Sequence, residues 1–473
     1  MALDILLVNT NRIRPPIAPL AIDYLAEAAL DAGLAVDFLD LCFADDPHRA
    51  IAEKLASVSP RLIALTFRNT DDCYMATRHS FIPHLRGIVE SLRAGSAAPL
   101  VIGGAGFSVT PEGVLRRTGI DFGIIGDGEG PLVALTRALR AGTDFTHISG
   151  LAWLHGDAFC RNAPIWGPFG QRALKRTTVD NARYFREGGQ GSVETKRGCD
   201  GACVYCADPH SKGHCTRPRP PAAVAAEVQN LLSMGIDVLH LCDSEFNLPR
   251  EHAEAICEEF VQRGLGERVR WHAYLAPGPF DSDLAGLMRR AGCAGINFGT
   301  DHGDPAMLAS LGRAHRPEDI RRAVAACKAV GLPVMLDLLL GAPGETLQSV
   351  ETGLRLMQEV DPTCVGVAVG LRVYPDTLLA KSLLSGHADP EGLSRTEREE
   401  DLCMPAFYLE PSIAGEIMAH IKRLVAGDKR YFVGGPDDTQ VDYNYDDNTA
   451  LTQAIAGGAK GAYWDILRRE LGL

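Results

Sequence analysis

Three cysteines carry the most informative chemistry in this sequence. Cys199, Cys203 and Cys206 are separated by three and then by two residues. Thiolates at this spacing can hold three irons of a cuboidal [4Fe-4S] cluster. The fourth iron then stays open and can chelate a substrate or a cofactor, which a fully ligated electron-transfer cluster cannot do. The spacing therefore predicts a reactive cluster.

A zinc site and an ordinary ferredoxin cluster are the alternatives. Zinc sites usually pair their ligands as two Cys-x2-Cys units, and a ferredoxin cluster needs a fourth cysteine. Cys215 is the nearby candidate, and it could be a fourth ligand, a free thiol or a core residue. The three-cysteine interpretation is favoured over both alternatives.

The cysteine motif, with the aromatic residue Tyr205 directly before its last cysteine, resembles that of radical S-adenosylmethionine enzymes. The resemblance implies that the open iron binds the amino and carboxylate groups of S-adenosylmethionine. It also implies that one electron cleaves the sulfonium to a 5′-deoxyadenosyl radical. Tyr205 is accordingly expected among the cofactor-binding residues.

Composition indicates a large cytoplasmic enzyme. The 473 residues suggest about three domains. A net charge of −13 argues against non-specific binding to nucleic acid or to an anionic membrane, since both depend on basic patches. Thirteen scattered cysteines suit a reducing compartment. We expect no signal peptide and no membrane span, because the start lacks a basic, apolar leader and no apolar run approaches about 20 residues.

Short apolar runs alternate with helical patterns up to about residue 145. They comprise residues 5–8, 35–39, 62–67, 100–102 and 122–125. Between the first two runs, Leu20, Tyr24 and Ala28 share one helical face, and Gly33 stands where that helix should end. The pattern predicts an α/β fold with a doubly wound parallel sheet, in which a ligand lies beyond the carboxyl ends of the strands.

Two of the loops at that edge are rich in glycine. Neither forms Gly-x-Gly-x-x-Gly after the first strand, so a dinucleotide site is not indicated. Glycines there would let a bulky ligand approach the backbone closely, and tight turns in a purely structural domain are the alternative. The expected ligand-binding residues of the two loops are Gly103, Gly104, Gly106, Ser108, Gly126 and Glu129.

A Rossmann-like domain followed by this cysteine motif resembles the cobalamin-dependent radical S-adenosylmethionine family. The similarity extends over most of residues 1–384. It is carried by residues 14–20, 67–72, 103–108 and 126–129, each of which follows a predicted strand. The resemblance implies that the first domain binds cobalamin and that these loops line the corrin ring.

One departure concerns the lower face of cobalt. Cobalamin proteins that place a histidine on cobalt carry Asp-x-His-x-x-Gly after the first strand, whereas residues 9–15 contain no histidine. A literal match at 208–213 lies inside the cluster loop and is interpreted as coincidence, and 46–48 is a near match after the wrong strand. We therefore expect Arg68 or Asn69 beneath the corrin, without a histidine ligand. An ion pair of Arg68 with Asp71 or Asp72 is the alternative.

From about residue 190 the pattern becomes that of an incomplete (β/α) barrel, which the resemblance also implies. Its predicted strands are residues 191–196, 238–241, 270–275, 295–299, 334–340 and 365–369. Catalytic groups of such barrels lie at the carboxyl ends of the strands.

Polar residues at those strand ends are the remaining site candidates. Asp243, Ser244 and Glu245 stand where the family contacts the amino group and ribose of S-adenosylmethionine. Tyr274 and Arg372, expected to be catalytic, and Asp301 occupy equivalent positions. The 341–346 loop resembles the family's adenine-contacting turn. Each of these features alone is more often a helix cap or a turn.

The predicted organisation is a cobalamin-binding domain at 1–145, a linker at 146–189, a partial (β/α)6 barrel with its [4Fe-4S] cluster at 190–384, and a small, mainly helical capping domain at 385–473. The aromatic pieces at 444–448 and 461–465 could close over the barrel and touch substrate. An aromatic cap packed on the barrel is an equal alternative.

The resemblance implies three cofactors: a [4Fe-4S] cluster, S-adenosylmethionine and cobalamin. The favoured function is C-methylation of an unactivated carbon in a biosynthetic small molecule, through methylcobalamin and a 5′-deoxyadenosyl radical. A low-potential electron donor, flavodoxin or ferredoxin, is the expected partner. The alternatives are a non-methylating rearrangement or cyclisation enzyme and, less favoured, a cobalamin or redox sensor.

Overall fold

The computed structural model describes residues 2–395, 402–435 and 445–473. Residues 396–401 and 436–444 therefore lie outside the described residues, and the second of these ranges includes Asn444 of the predicted aromatic piece at 444–448. Among the residues described, no helix is both long and apolar enough to cross a bilayer.

The first part of the chain folds as a seven-stranded sheet with helices on both faces. Its strands are β1 (Ala2–Asn9), β2 (Val36–Asp40), β3 (Ser59–Thr66), β4 (Leu100–Gly103), β5 (Phe122–Ile124), β6 (Leu151–His155) and β7 (Ala158–Arg161). Its helices are α1 (Leu20–Asp31), α2 (Pro47–Ser57), α3 (Ile82–Gly95), α4 (Ala105–Val109), α5 (Pro111–Thr118) and α6 (Glu129–Ala141).

The strand order is β2-β1-β3-β4-β5-β6-β7, and the first five strands are parallel. Buried aliphatic residues form a separate core on each face of the sheet. Gly33, at φ +75°, ends α1 as expected. The predicted sheet is thus confirmed, with one addition. The antiparallel strands β6 and β7 extend it into the stretch 146–189, because their short hairpin can pair on the edge that β5 leaves open.

The second part is an open barrel of parallel strands. Its strands, with the β9–β10 ribbon beside the cysteine motif, are β8 (Gly191–Val193), β9 (Lys196–Arg197), β10 (Arg217–Pro218), β11 (Val238–Leu241), β12 (Arg270–Leu275), β13 (Cys293–Asp301), β14 (Val334–Leu340) and β15 (Cys364–Val369). Its helices are α7 (Asn181–Gly188), α8 (Asp208–Lys212), α9 (Pro221–Ser233), α10 (Arg250–Gln262), α11 (Ser282–Arg290), α12 (Pro305–Ser310), α13 (Pro317–Ala329) and α14 (Leu347–Val360), with a 3-10 turn at Leu265–Glu267.

The remaining elements close this barrel. They are the strands β16 (Leu371–Arg372), β17 (Leu393–Arg395), β18 (Ala406–Tyr408) and β19 (Tyr431–Gly434), the helices α15 (Leu378–Leu384), α16 (Ile417–Val425), α17 (Thr449–Ala456) and α18 (Tyr463–Glu470), and a 3-10 turn at Pro390–Gly392. The barrel order is β19-β15-β14-β13-β12-β11-β8. The six predicted strands are therefore present, and β19 adds a seventh, parallel to β15, from the C-terminal segment.

Buried charges join the two sheets. Arg176 lies 3.0 Å from Asp23 of α1 and 2.9 Å from Glu227 of α9. Glu227 also pairs with Arg219 at 2.7 Å. These side chains are fully buried, and removing one member of such a group leaves an uncompensated charge. The network therefore fixes the first sheet against the barrel and holds the carboxyl ends of both sets of strands towards a common space.

Candidate active site between the two sheets

A cavity of about 580 Å³ lies between the loops of the first sheet and the barrel mouth. Both parts of the chain contribute to its wall, as the strand-end rule predicts. Residues of the first sheet that line it include Ile13, Pro15, Arg68, Asn69 and Asp72, and those of the barrel include Ser192, His240, Asp243, Ser244, Tyr274, Asn297 and Asp337. Tyr445, Tyr463 and Trp464 complete the wall from the C-terminal segment.

The cysteine motif occupies the loop between β9 and α8. A carbon added to Gly201 would lie 3.2 Å from the sulfur of Cys199 and 3.8 Å from that of Cys203, so both sulfurs face the same small space. In the described part of the chain, no three His, Cys, Asp or Glu side chains converge closely enough to hold a single metal ion. Cys215 is exposed, whereas the three motif cysteines are half-buried. The loop thus brings the sulfurs of Cys199 and Cys203 towards one space, as a cluster site would need.

Arg313 connects this loop to the barrel. Its guanidinium donates to the sulfur of Cys203 at 3.0 Å and to Glu245 at 3.1 Å, and it lies 3.1 Å from Asp301. The hydroxyl of Tyr205 donates to the same Asp301 carboxylate. Sequence reasoning missed Arg313, because it lies in the loop between α12 and α13 rather than directly after a strand. Tyr205 and Asp301 are thus held together beside the cluster loop.

The three polar residues predicted after β11 differ in how many hydrogen bonds they already make within the protein. Asp243 accepts from the Thr195 amide at 2.8 Å and from the Lys196 amide at 3.2 Å, so it anchors the strand that leads into the cluster loop. Ser244 donates to Asp208 at 2.8 Å. Glu245 keeps one buried carboxylate oxygen without a hydrogen-bond partner. Of the three, Glu245 is best placed to receive a positively charged group.

Tyr274, Asn297 and Asp337 project from three neighbouring strands into the cavity. Tyr274 is 42% exposed, but its exposed part faces this cavity. Burial, and then the nearby Asp337 carboxylate, raise the pKa of Tyr274 to about 12. Burial raises the pKa of Asp337 to about 7, against the lowering effect of a hydrogen bond from Asn297.

Asp337 and Asn297 each leave a side-chain oxygen without a hydrogen-bond partner. Two such acceptors in one cavity fit a ligand that brings its own donors. Sequence reasoning did not select either residue. Asp337 had a usable signal, since it is the one charged residue within the apolar run of β14.

Arg372 does not line this cavity. Its guanidinium lies 2.9 Å from Asp71, which is fully buried, and it also donates to the carbonyl of Val373. Arg372 therefore joins β16 to the loop after β3, and its observed contacts are structural rather than catalytic. A strand-end position in the sequence does not reveal which way a side chain turns. Glu345 of the predicted adenine-contacting loop is likewise occupied, since it bonds to His302 at 2.8 Å and to the Ala342 amide at 3.1 Å.

Arg68 and Asn69 lie at the carboxyl end of β3, between the main cavity and a smaller one of about 250 Å³. Arg68 makes no ion pair within the described ranges, and Asp71 is bound by Arg372 instead. His79 and His84 line the smaller cavity. The sequence prediction considered a histidine only in the loop after β1, so it did not identify these two residues. The face expected to lie beneath a corrin thus offers an arginine, an amide and two nearby imidazoles.

The glycine-rich loops border a further cleft of about 200 Å³. Gly103, Gly104, Gly126 and Glu129 line it, and the hydroxyl of Ser108 accepts from the Gly126 amide at 3.1 Å. Gly104 has φ +107°, and a Cβ there would lie 2.6 Å from the carbonyl oxygen of Phe67.

Gly106 packs as tightly, because its Cβ would come within 2.8 Å of the Asn69 backbone. The loops can approach each other only because these positions are glycine. Contact between the loops themselves therefore requires these two glycines, and the cleft that the loops border is the place open to a large flat group such as a corrin.

Comparison with known proteins agrees with this architecture. A B12 binding domain family model matches residues 6–136, and a radical SAM superfamily model matches residues 193–357. The tryptophan 2-C-methyltransferase of Streptomyces laurentii is 34% identical over 441 residues, which cover 80% of this chain and 74% of that protein.

Two solved structures of a Kitasatospora setae protein are also similar. The radical S-adenosylmethionine methyltransferase TsrM, with tryptophan and a S-adenosylmethionine analogue bound, matches with a TM-score of 0.92 and 32% identity over 99% of this chain and 98% of that one. Its structure with cobalamin and a [4Fe-4S] cluster matches with a TM-score of 0.91 and 30% identity over 100% and 98% of the two chains. The chain described here belongs to the cobalamin-dependent radical S-adenosylmethionine methyltransferases.

Proposed function

We propose that this protein methylates a ring carbon of tryptophan or of a closely related indole, with S-adenosylmethionine as the methyl source. The observation that carries the proposal is the cavity itself, because it opens both to the loops of the first sheet and to the cluster end of the barrel. Cobalamin held on those loops would supply a methyl group to the substrate, and the cluster would bind or activate S-adenosylmethionine.

The cavity wall suits an aromatic substrate. Tyr274, Tyr445, Tyr463 and Trp464 all line it, and the rings of Tyr445 and Tyr463 meet edge to face at 5.6 Å. The ring of His240 packs at a tilt against that of Tyr274, with ring centres 5.1 Å apart, and burial lowers the pKa of His240 to about 3, so it stays neutral. Aromatic walls favour flat, electron-rich rings through offset and edge contacts. This supports an indole in preference to an aliphatic substrate.

Polar atoms on the same wall offer specific recognition. The hydroxyl of Tyr463 and the amide oxygen of Gln190 are both buried and without a hydrogen-bond partner. An indole N–H or an amino group of the substrate would satisfy them. Asp337 and Asn297, on the barrel strands, would accept hydrogen bonds from the two ribose hydroxyls of S-adenosylmethionine. The substrate and S-adenosylmethionine would then each have their own hydrogen-bond acceptors.

The proposal includes a low-potential electron donor such as flavodoxin or ferredoxin, because a reduced cluster or cobalamin needs a source of electrons. It also places the enzyme in the reducing cytoplasm, where free thiols and the cluster are preserved.

The test is turnover of the reconstituted enzyme with S-adenosylmethionine labelled in its methyl group. We expect the label in the product when tryptophan is the substrate, with S-adenosylhomocysteine formed at least as fast as product. The yield of 5′-deoxyadenosine reports whether hydrogen abstraction takes part, since an aliphatic carbon must first lose a hydrogen atom and an electron-rich indole carbon need not. An unlabelled product without S-adenosylhomocysteine would favour the non-methylating alternative.

A further inference from the structure

His272 is a buried imidazole with no hydrogen-bond partner on either ring nitrogen among the residues that the structure describes. It lies on β12 and is only 3% exposed. Tyr274, two residues further along the same strand, points to the same face of the sheet and lines the main cavity. Burial of a polar group without a partner costs free energy, so the presence of His272 here indicates a function.

His240 connects His272 to the main cavity. The two histidines are paired residues of the neighbouring parallel strands β11 and β12, so their side chains leave the sheet side by side on one face. His240 lines the cavity, and its ring centre lies 5.1 Å from that of Tyr274. Trp464, another residue of the cavity wall, meets the ring of His272 edge to face at 6.3 Å. Gly295 permits this packing, because a Cβ there would lie 3.1 Å from each of these two rings.

Asp465 connects His272 to the protein surface. Its carboxylate lies 3.7 Å from Nε2 of His272, a separation that a small movement of the ring or one bridging water closes. The same carboxylate lies 2.8 Å from Arg468 and 3.2 Å from Arg469, whose side chain is 40% exposed. Burial alone would raise the pKa of Asp465, but His272 and the two arginines lower it, so the carboxylate stays ionised. His240, His272 and Asp465 therefore form a series of polar groups from the cavity towards solvent.

Methylation of an aromatic ring carbon releases one proton. The new carbon–carbon bond uses an electron pair of the ring, and the pair of the broken C–H bond returns to the ring as the proton leaves. S-adenosylmethionine and an indole thus give S-adenosylhomocysteine, a methylindole and H⁺. Bound ligands displace water from the cavity, so this proton needs an acceptor on the wall and a path through the protein. A ring that has gained a methyl cation is a strong acid, and even the imidazole of His240, whose pKa burial lowers to about 3, can accept its proton.

We propose that His240 accepts the proton that the substrate ring loses and that His272 passes it to Asp465, from which it reaches solvent. In each transfer one bond to hydrogen forms as another breaks, and each histidine returns to its neutral form. His240 is then a catalytic residue, and His272 and Asp465 act through it. The inference rests on the proposed function, because an aromatic ring carbon releases a proton on methylation whereas an aliphatic carbon must lose a hydrogen atom. Asp337 is the competing base on the cavity wall.

Single-turnover methylation by the cofactor-loaded protein tests this relay. His240→Gln and His272→Gln should each slow methyl transfer to tryptophan by roughly 10- to 100-fold. The double variant should lose no more than either single one, because two members of one path fail together. Formation of S-adenosylhomocysteine in the absence of tryptophan releases no proton and should keep its parental rate, and the Kd for tryptophan should be unchanged. Tryptophan deuterated at its ring carbons should react more slowly than unlabelled tryptophan in the variants alone, because proton loss limits the rate only there.

His420→Gln is the matched control, since His420 is also buried with an unpartnered ring nitrogen but lies on α16, away from the cavity wall. Iron and cobalamin contents are measured for every variant. If His272→Gln loses a cofactor, His240→Gln becomes the test, because its side chain borders the open cavity.

Three results would overturn the relay alone: unchanged methyl transfer in both histidine variants, an equal slowing of S-adenosylhomocysteine formation and methyl transfer, or an isotope effect that appears in Asp337→Asn instead. Failure of the parent protein to methylate tryptophan would overturn the proposed function and the relay with it.

Discussion

The cysteines of the motif make different contacts in the structure, a difference that their spacing in the sequence does not reveal. Cys203 accepts a hydrogen bond from Arg313, and Cys199 accepts one from the Gly201 amide at 3.4 Å. Donors to sulfur stabilise a thiolate and tune a bound cluster. Cys215, outside the motif, is exposed.

Replacing any one of Cys199, Cys203 and Cys206 with alanine should abolish the cluster, whereas Cys215→Ala should retain about four irons per chain. The reason is that each of the three thiolates would hold one iron, and the loop offers no spare cysteine to replace a lost one. Iron analysis and the visible absorbance of anaerobically reconstituted protein provide the measurement. Loss of iron in Cys215→Ala would mean that the motif does not hold the cluster alone.

Asp337 gives a pH-dependent prediction. Its pKa of about 7 means that it becomes a full acceptor only as pH rises through neutrality. Asn297, Asp301, Tyr274 and Tyr445 are the polar and ionisable groups around it. The affinity for uncharged 5′-methylthioadenosine should therefore rise by up to about tenfold between pH 6 and pH 8.

Asp337→Asn is the control for this effect. Because an amide does not titrate in this range, its binding curve should be flat with pH. Equilibrium dialysis at a series of pH values decides the matter. A parent protein whose affinity did not change across the range would remove Asp337 from the ribose site.

At the scale of single residues, the sequence located acceptors but not their partners. Glu245 and Tyr274 were predicted because they follow barrel strands. Arg372 met the same criterion and turned out to pair with Asp71, some 300 residues earlier in the chain. Asp337 was not selected because it lies within β14 and not after it, although it is the one charged residue of that apolar run. Its burial and its unpartnered oxygen are properties of the folded chain alone.

Among the elements, the loops after β3 and β4 depend on close packing. Gly106→Val should displace the backbone of residues 67–69, because even a Cβ would come within 2.8 Å of Asn69. We expect less cobalamin to be retained after reconstitution, with the cluster unaffected. Gly415→Ala is the matched control, since nothing lies within 4 Å of its added Cβ. Equal cobalamin content in both variants would contradict a corrin site on these loops.

The Arg372–Asp71 pair is a second test at this scale. Arg372→Ala leaves the buried Asp71 carboxylate without a cation and should destabilise the protein by about 3–5 kcal/mol. The double substitution Arg372→Met with Asp71→Leu should recover much of that loss. Arg321→Ala, in an exposed pair with Glu359, should change little. Calorimetric unfolding measures all of these, and an unchanged transition in Arg372→Ala would show that the pair contributes nothing.

Most elements could be predicted from periodicity. The predicted strands at 270–275 and 334–340 coincide with β12 and β14, because long apolar runs bounded by turns leave little choice. β19 was not predicted, since a strand of only four residues carries no recognisable period. Its position beside β15 follows from the open barrel edge. That edge is a property of the assembled sheet and is not visible in any local pattern.

For the whole molecule, the lower face of cobalt remains a prediction. We expect cobalamin to bind with its own base detached and with no protein histidine on cobalt, because the loop after β1 lacks one. His79 and His84 line the same small cavity as Arg68 and Asn69, so they are the histidines to test as cobalt ligands. Electron paramagnetic resonance of the cob(II)alamin form decides it, since an axial nitrogen splits each cobalt line into three. If triplets are seen, substitution of each histidine in turn identifies the ligand.

The parallel contact between β15 and β19 also bears on how the protein is made. A ribosome must add residues 431–434 before β15 gains its second neighbour, and it must add Tyr463 and Trp464 before the cavity has its aromatic wall. A nascent chain arrested earlier would present β15 as an open edge, which is a template for association. Cofactor loading should therefore follow translation, and prematurely terminated chains should aggregate.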